Sequence, residues 1–419
     1  MFEQYKLKNN ANVLLVPQQN THSVTVLVMY PVGSRHESSK LNGVSHYIEH
    51  LMFKGTEKRK NTLTLTREID RLGAEYNAFT GKDYTGYYIK ADCRYIETSL
   101  DILSDMLFNS IFDKKEMERE KTVIVEELRM YKDNPVMNID NIFEDLLFDG
   151  CPLGRDIGGT EKNVMNFLRP DVLEYKQKYY DPSNMHIIVA GEISDPFKNY
   201  IEKYFGREKN KYKTSRSSKP ALFGSEKKEN RIAVQRKSTD QVQMRLGFPG
   251  FKYQASENPI VAVMNKILGG SMSSRLFIQI RERRGLAYTI YSGSENFEDI
   301  GYVYVGAGLE AKNINKAIEV IKKEIEKLID HGVTKQELQD AKTHIRGRLT
   351  LSMEDSSAQA NWYAHQALFA KKIKTQEEKL QEIEKVTAKQ IQDLAKRVFK
   401  MKKMRVAIIG DVDKSNVRF

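Results

Sequence analysis

Apolar positions along the chain follow two periods. Val24, Val26 and Val28 alternate with Thr25 and Leu27, the period-two pattern of a half-buried strand. Asn9 and Asn10 stand between Tyr5–Leu7 and Val13–Val16 and predict a hairpin turn. The compact runs MHIIVAG, ending at Gly191, and MRVAIIG, ending at Gly410, predict two further strands. Apolar spacing near 3.6 predicts helices over 64–72, 99–108, 114–131, 311–329, 334–353 and 376–398. Strands and helices do not alternate strictly. This predicts mostly antiparallel sheets with helices packed on them, an α+β fold.

The pattern occurs twice. SNMHIIVAGEISD at 183–195 corresponds to KKMRVAIIGDVDK at 402–414, which sets Gly191 on Gly410 at an offset of 219. VTVLVMYP at 24–31 corresponds to VQMRLGFP at 242–249, at an offset of 218. EREKTVIVEELRM at 118–130 falls on LQDAKTHIRGRLT at 338–350, at an offset of 220. Three segments in one order at a nearly constant offset predict tandem homologous domains, since two copies at so long a period do not make a solenoid. The domains are expected at 1–206 and 231–419, joined by a solvated linker over 207–230.

Composition narrows the class. The chain has 419 residues, 40% of them hydrophobic, enough for more than one core. No apolar run is long enough to span a bilayer, and the first residues lack the charged and apolar regions of a signal peptide. Two cysteines, Cys93 and Cys151, make no disulfide framework and are expected as small buried hydrophobes. A cytoplasmic location is the expectation. The net charge of +11 would attract nucleic acid or an anionic membrane, but much of the surplus sits in the linker and no nucleic-acid motif accompanies it. Neither partner is expected.

Chemistry begins at Asn42-Gly-Val-Ser-His46-Tyr-Ile-Glu49-His50-Leu-Met-Phe-Lys-Gly55. Asn42 is expected to cap a helix and Gly55 to end it. His46 and His50 are four apart, so both imidazoles lie on one helical face, a spacing that suits two ligands of one tetrahedral metal. Glu49 hangs beside the same point, where a carboxylate could take a proton from an activated water. The order HxxEH reverses the zincin HExxH. A third ligand is expected from 114–131, where Glu120 and Glu127 lie two turns apart within the stripe Met117, Ile124, Leu128 and Tyr131, and Glu126 points away. Carboxylates on a buried stripe must be paired or bound to a cation. Glu127 is therefore the expected ligand and Glu120 the carboxylate that orients a ligand. Two histidines, one glutamate and a water make an open site of the catalytic kind.

HYIEHLMFKGT followed by Glu127 resembles the inverzincin metallopeptidases related to pitrilysin, which include insulin-degrading enzyme and the mitochondrial processing peptidase. LGAEYNAFTGKDYTGYY at 72–88 resembles that family's substrate-facing edge strand, and GGSMSSRLFIQIRERRGLAY at 269–288 its Gly-rich loop and Arg/Tyr pair. The resemblance implies one Zn²⁺ per chain on His46, His50 and Glu127, with Glu49 as general base and Glu120 behind the ligands. It implies a zinc endopeptidase whose paired chains close as a clamshell around a chamber that admits peptides and short unfolded polypeptides. A processing peptidase trimming basic leader sequences is the alternative, and a non-catalytic core subunit fits poorly because every ligand is kept. Asn77, Ala78 and Phe79 would take substrate as an added strand. Arg281 and Tyr288, seven apart and on one face if helical, would grip a peptide carbonyl and a developing oxyanion. At the offset of 218 His46, Glu49 and His50 fall on Met264, Ile267 and Leu268, and at the offset of 220 Glu127 falls on Gly347, so the second copy keeps no ligand. A homodimer is expected, or a heterodimer with a related chain, in which Arg281, Tyr288 and the loop Gly269–Ser274 approach the partner's metal.

Overall fold

The alternating and compact apolar runs become strands, and the strands sort into two sheets. The computed structural model describes residues 2–194, 196–208, 220–224, 227 and 230–419. Residues 209–219, 225–226 and 228–229 of the expected linker lie outside the described residues. The first sheet contains β1 (Glu3–Lys6), β2 (Asn12–Pro17), β3 (Ser23–Tyr30), β4 (Glu75–Thr80), β5 (Thr85–Asp92) and β6 (His186–Gly191), in the order β1-β2-β6-β3-β5-β4. The second contains β7 (Ile232–Arg236), β8 (Val242–Pro249), β9 (Ala287–Asn296), β10 (Gly301–Leu309) and β11 (Arg405–Gly410), in the order β7-β11-β8-β10-β9. The expected hairpin joins β1 to β2, with Asn10 at φ +66° in its turn.

Without β1 the two sheets are copies. Each has one parallel pair, β2 with β6 and β7 with β11, and is otherwise antiparallel. The registers match as well. Val24 stands opposite Ala91 on one side and Gly191 on the other. Val242, its counterpart, stands opposite Leu309, and Gly410 abuts it. Gly191 and Gly410 both leave the sheet at positive φ, +125° and +156°, where a Cβ would press on the facing strand. The repeat is thus a repeat of architecture, as the offsets predict.

The helices share out less simply. By contacts the first unit is Met1–Leu128, Asp156–Lys219 and Thr350–Ile373, and the second is Arg129–Arg155, Pro220–Leu349 and Lys374–Phe419. The helix Ser356–Phe369, late in the chain, packs on β3 and β6 of the first sheet, and Pro135–Leu147, early in the chain, packs on β8 and β11 of the second. This has a consequence for β3. Its Val24, Val26 and Val28 face the main core, while Thr25 is covered through a 2.9 Å hydrogen bond to Ser356. The strand expected to be half-buried is therefore buried on both faces over Val24–Tyr30. In β8, Arg245 is likewise covered and donates to Asp140 at 2.6 Å.

Two expected elements differ in detail. The helix expected over 376–398 is two helices, Gln376–Glu384 and Ala388–Val398. Thr387 accepts from the Gln390 amide while the Gln390 side chain accepts from Thr387, and this reciprocal cap begins a new helix. Cys93 and Cys151 are unpaired but only half-buried, and the Cys93 thiol donates to Glu192 at 3.3 Å.

Candidate functional site

The HxxEH segment forms the helix Val44–Leu51 beside β4. Its cap is not Asn42. Gly43 holds the N-cap position at φ +100°, and the side chain that serves the exposed amides comes from Glu37. Glu37 Oε2 accepts from the Gly43 amide at 2.7 Å and from Asn42 Nδ2 at 3.1 Å, and Oε1 accepts from the Ser45 amide at 2.8 Å. A carboxylate here also meets the positive end of the helix dipole. The turn has no room for side chains, because a Cβ on Gly43 would lie 2.4 Å from the Gly158 carbonyl oxygen and one on Gly159 2.2 Å from that of Asn42. The helix ends at Leu51, and Gly55, at φ +125°, lies in the following turn and not at the cap.

Burial pushes the Glu37 carboxyl up to about 7, against the donors that hold it down. Its folded value is therefore raised above the unfolded one. The stability it contributes is complete below the ordinary carboxylate range and falls as pH rises through about 7. Glu37→Gln removes that ionisation. The melting temperature of the unaltered chain minus that of Glu37→Gln, taken with chelator present, is expected to decrease from pH 5 to pH 7 and then level off; a constant difference would contradict this assignment.

His46, His50 and Glu127 converge, with one ligand atom of each within 4.8 Å of the others. Nε2 of His50 lies 3.2 Å from Nε2 of His46, and Oε2 of Glu127 lies 3.4 Å from the first and 3.6 Å from the second. Zinc–ligand bonds of about 2.0–2.1 Å make the edge of a tetrahedron about 3.3–3.4 Å, so these three atoms have the spacing of one face. The donor set is that of an open zinc site, and the residues fit the ion. Glu127 comes from the helix Lys114–Asp133, whose Met117, Ile124 and Leu128 are buried as the stripe requires. Glu120, one-twentieth exposed, accepts from His50 Nδ1 at 2.8 Å and from Lys54 Nζ at 2.6 Å. Its neighbours Arg119 and Lys121 pair with Glu116 and Glu118 instead.

The proton affinities of the site's groups are uneven. Burial and the His50 charge lower His46 to about 4. Burial opposes protonation of His50 too, but hydrogen bonds to Glu120 and Glu127 outweigh it and hold that ring up at about 9. The bond from His50 draws Glu127 below the ordinary carboxylate range. Burial raises Glu49, and the Thr80 hydroxyl, donating to its Oε2 at 2.6 Å, pulls the other way. A raised carboxylate held in one orientation is suited to receive a proton. Thr80 closes β4, and sequence reasoning named its three predecessors without giving it this role.

Asn77, Ala78 and Phe79 lie on β4, which is an edge strand paired with β5 among the described residues. Asn77 is exposed and its Oδ1 accepts from the Ala78 amide at 2.9 Å, Ala78 is buried, and the Phe79 ring lies over Gly86. Arg281 and Tyr288 do not share a helix. Gly285, at φ +58°, follows the π-helical turn Phe277–Glu282, and Tyr288 belongs to β9. They still meet, because the Arg281 guanidinium stacks 5.3 Å over the Tyr288 ring and 4.9 Å over Phe277. Tyr288 is two-thirds exposed. At the positions equivalent to the ligands, Met264 and Leu268 are buried in the second core, as is Ile267 at that of Glu49.

Fold and site together define a chain with the ligand set of an inverted zincin and one ligand-free copy of its own domain. A family profile described as "Insulinase (Peptidase family M16)" matches residues 12–161, and one described as "Peptidase M16 inactive domain" matches residues 166–345. The chain is 36% identical over 403 residues to "Uncharacterized zinc protease YmxG" of Bacillus subtilis (strain 168), covering 95% of this chain and 96% of that protein. It is 31% identical over 397 residues to an "Uncharacterized zinc protease" of Rickettsia felis, covering 94% of each. The chain belongs to the M16 peptidase family. Its fold is similar to that of a protease from Helicobacter pylori, with a TM-score of 0.91, 22% identity, and coverage of 98% of this chain and 99% of that one. It is also similar to that of a peptidase M16 inactive domain from Pseudomonas fluorescens, with a TM-score of 0.89, 18% identity and 98% of each covered. No helix among the described residues is long and apolar enough to cross a membrane.

Proposed function

We propose that this chain is a zinc endopeptidase of the cytoplasm that cleaves peptides and short unfolded polypeptides. The observation that carries this reading is the triangle of His46, His50 and Glu127 at zinc spacing, with Glu49 beside it. Zinc, when bound there, supplies the Lewis acidity that polarises a peptide carbonyl and acidifies water. The remaining work falls to the chain's own groups. Substrate adds to the free edge of β4 through main-chain hydrogen bonds, which select extended backbone and few side chains. Glu49 takes a proton from the attacking water and returns it to the leaving amine. Thr80 keeps the accepting carboxylate aimed. Incubating the purified protein with a mixed peptide pool tests the reading. Cleavage should require one zinc per chain, stop with a chelator and return on adding zinc; cleavage indifferent to the chelator would exclude it.

The working form is a homodimer around a closed chamber, in which Arg281 and Tyr288 of the partner subunit reach toward the zinc of the first. The stacked Arg281–Tyr288 pair, with Tyr288 exposed, in a unit without ligands supports this, because such a pair has no metal of its own to serve. A closed two-fold dimer makes two such sites. Mixing Glu49→Gln chains with Arg281→Ala chains should restore activity in exchanged dimers, where one site has both native residues. Confirmed exchange without recovery would place both residues of each site in one chain.

A further inference from the structure

Lys54 has no part in the chemistry above, yet it is bound into the site. It sits four residues after His50, just past the end of the metal-binding helix, in a turn whose backbone is fixed. The Lys54 amide donates to the Leu51 carbonyl at 3.1 Å, and Gly55 lies so close to Lys60 that a Cβ would come within 2.8 Å of its carbonyl oxygen. From that turn the ammonium reaches back to Glu120 Oε2 at 2.6 Å, while Oε1 of the same carboxylate accepts from His50 Nδ1 at 2.8 Å. Glu120 is thereby gripped on both oxygens, one by a ligand and one by a cation.

We infer that Lys54 is a positioning residue for zinc: it clamps Glu120 so that His50 presents Nε2 to the metal. This rests on the zinc reading of the site and adds a residue to it. Two points carry the inference. A buried carboxylate with only one partner is costly, and would relieve the cost by turning toward water. Glu120 is nearly inaccessible, and Lys54 is about one-quarter exposed, so their contact is little screened. A carboxylate bonded to a ligand histidine orients the ring and raises its basicity, and loss of that support typically weakens metal binding about 10–100-fold.

The test compares Lys54→Met with Lys54→Arg in the full-length protein. Zinc affinity is measured by competition with a chromophoric chelator, and the cobalt-substituted proteins are compared by visible absorption. Lys54→Met should bind zinc at least about tenfold more weakly and show an altered cobalt spectrum, with an unchanged far-ultraviolet circular dichroism spectrum. Lys54→Arg keeps the cation and should recover most of the affinity. If Lys54→Met folds and binds zinc as tightly as the unaltered chain, or more tightly, the inference is wrong. So it is if Arg and Met behave alike. If the unaltered chain itself binds no zinc, the zinc reading fails, which is a distinct result.

Discussion

Glu49→Gln is expected to remove hydrolysis while leaving zinc in place. Gln keeps the shape of the side chain and can still meet Thr80, but an amide accepts no proton at working pH. Loss of a general base typically lowers the rate about 10²–10⁴-fold. Zinc content, read by atomic absorption, should match that of the unaltered chain, because Glu49 is outside the triangle of His46, His50 and Glu127. The loss should fall on kcat, with little change in KM, because β4 holds substrate without the carboxylate. Full activity in this variant would remove Glu49 from the chemistry. Loss of zinc along with activity would make it a ligand.

Glu127→Gln should have the opposite signature, a protein that folds but no longer keeps its metal. Glu127 Oε2 closes the triangle at 3.4 and 3.6 Å from the two histidine nitrogens. The amide that replaces it carries no charge and binds zinc poorly. Affinity should fall by more than the roughly 10–100-fold expected for a residue behind the ligands, and activity should fall with it. Glu126→Gln is the control. Glu126 is exposed on the same helix and should bind zinc as the unaltered chain does. Equal zinc affinity in the Glu127 and Glu126 variants would move the third ligand elsewhere.

The metal triangle was legible in the sequence because its chemistry is periodic. His46 and His50 are one turn apart and Glu120 and Glu127 are two turns apart, so helix geometry alone sets each pair on one face. The buried stripe around Glu127 then demands a cation. The duplicated architecture was legible for a similar reason: equal strands in equal order leave equal spacings, and the registers of Val24 with Ala91 and of Val242 with Leu309 follow them. Site residues with no fixed sequence relation to the motif escaped. Glu37 caps the catalytic helix from outside it, Thr80 reaches Glu49 from β4, and Lys54 grips Glu120 from the next turn.

Local spacing by itself thus determined β1, β2, β3, β6 and β11, most helices, the repeat and the convergence of His46, His50 and Glu127, because each depends on neighbours a few residues apart or on a constant offset. The tertiary structure alone decided what covers the far face of each sheet. Thr25 reads as a polar position on a half-buried strand, yet Ser356 buries it, and in the matching strand Asp140 pairs with Arg245. Those partners lie 331 and 105 residues away, on helices whose own periodicity names no sheet to pack on. It also decided that Arg281 and Tyr288 meet by stacking across a turn, since Gly285 at positive φ breaks the helical path between them. Pattern along a chain says which face of an element is apolar; only the fold says what fills the space beyond the other face.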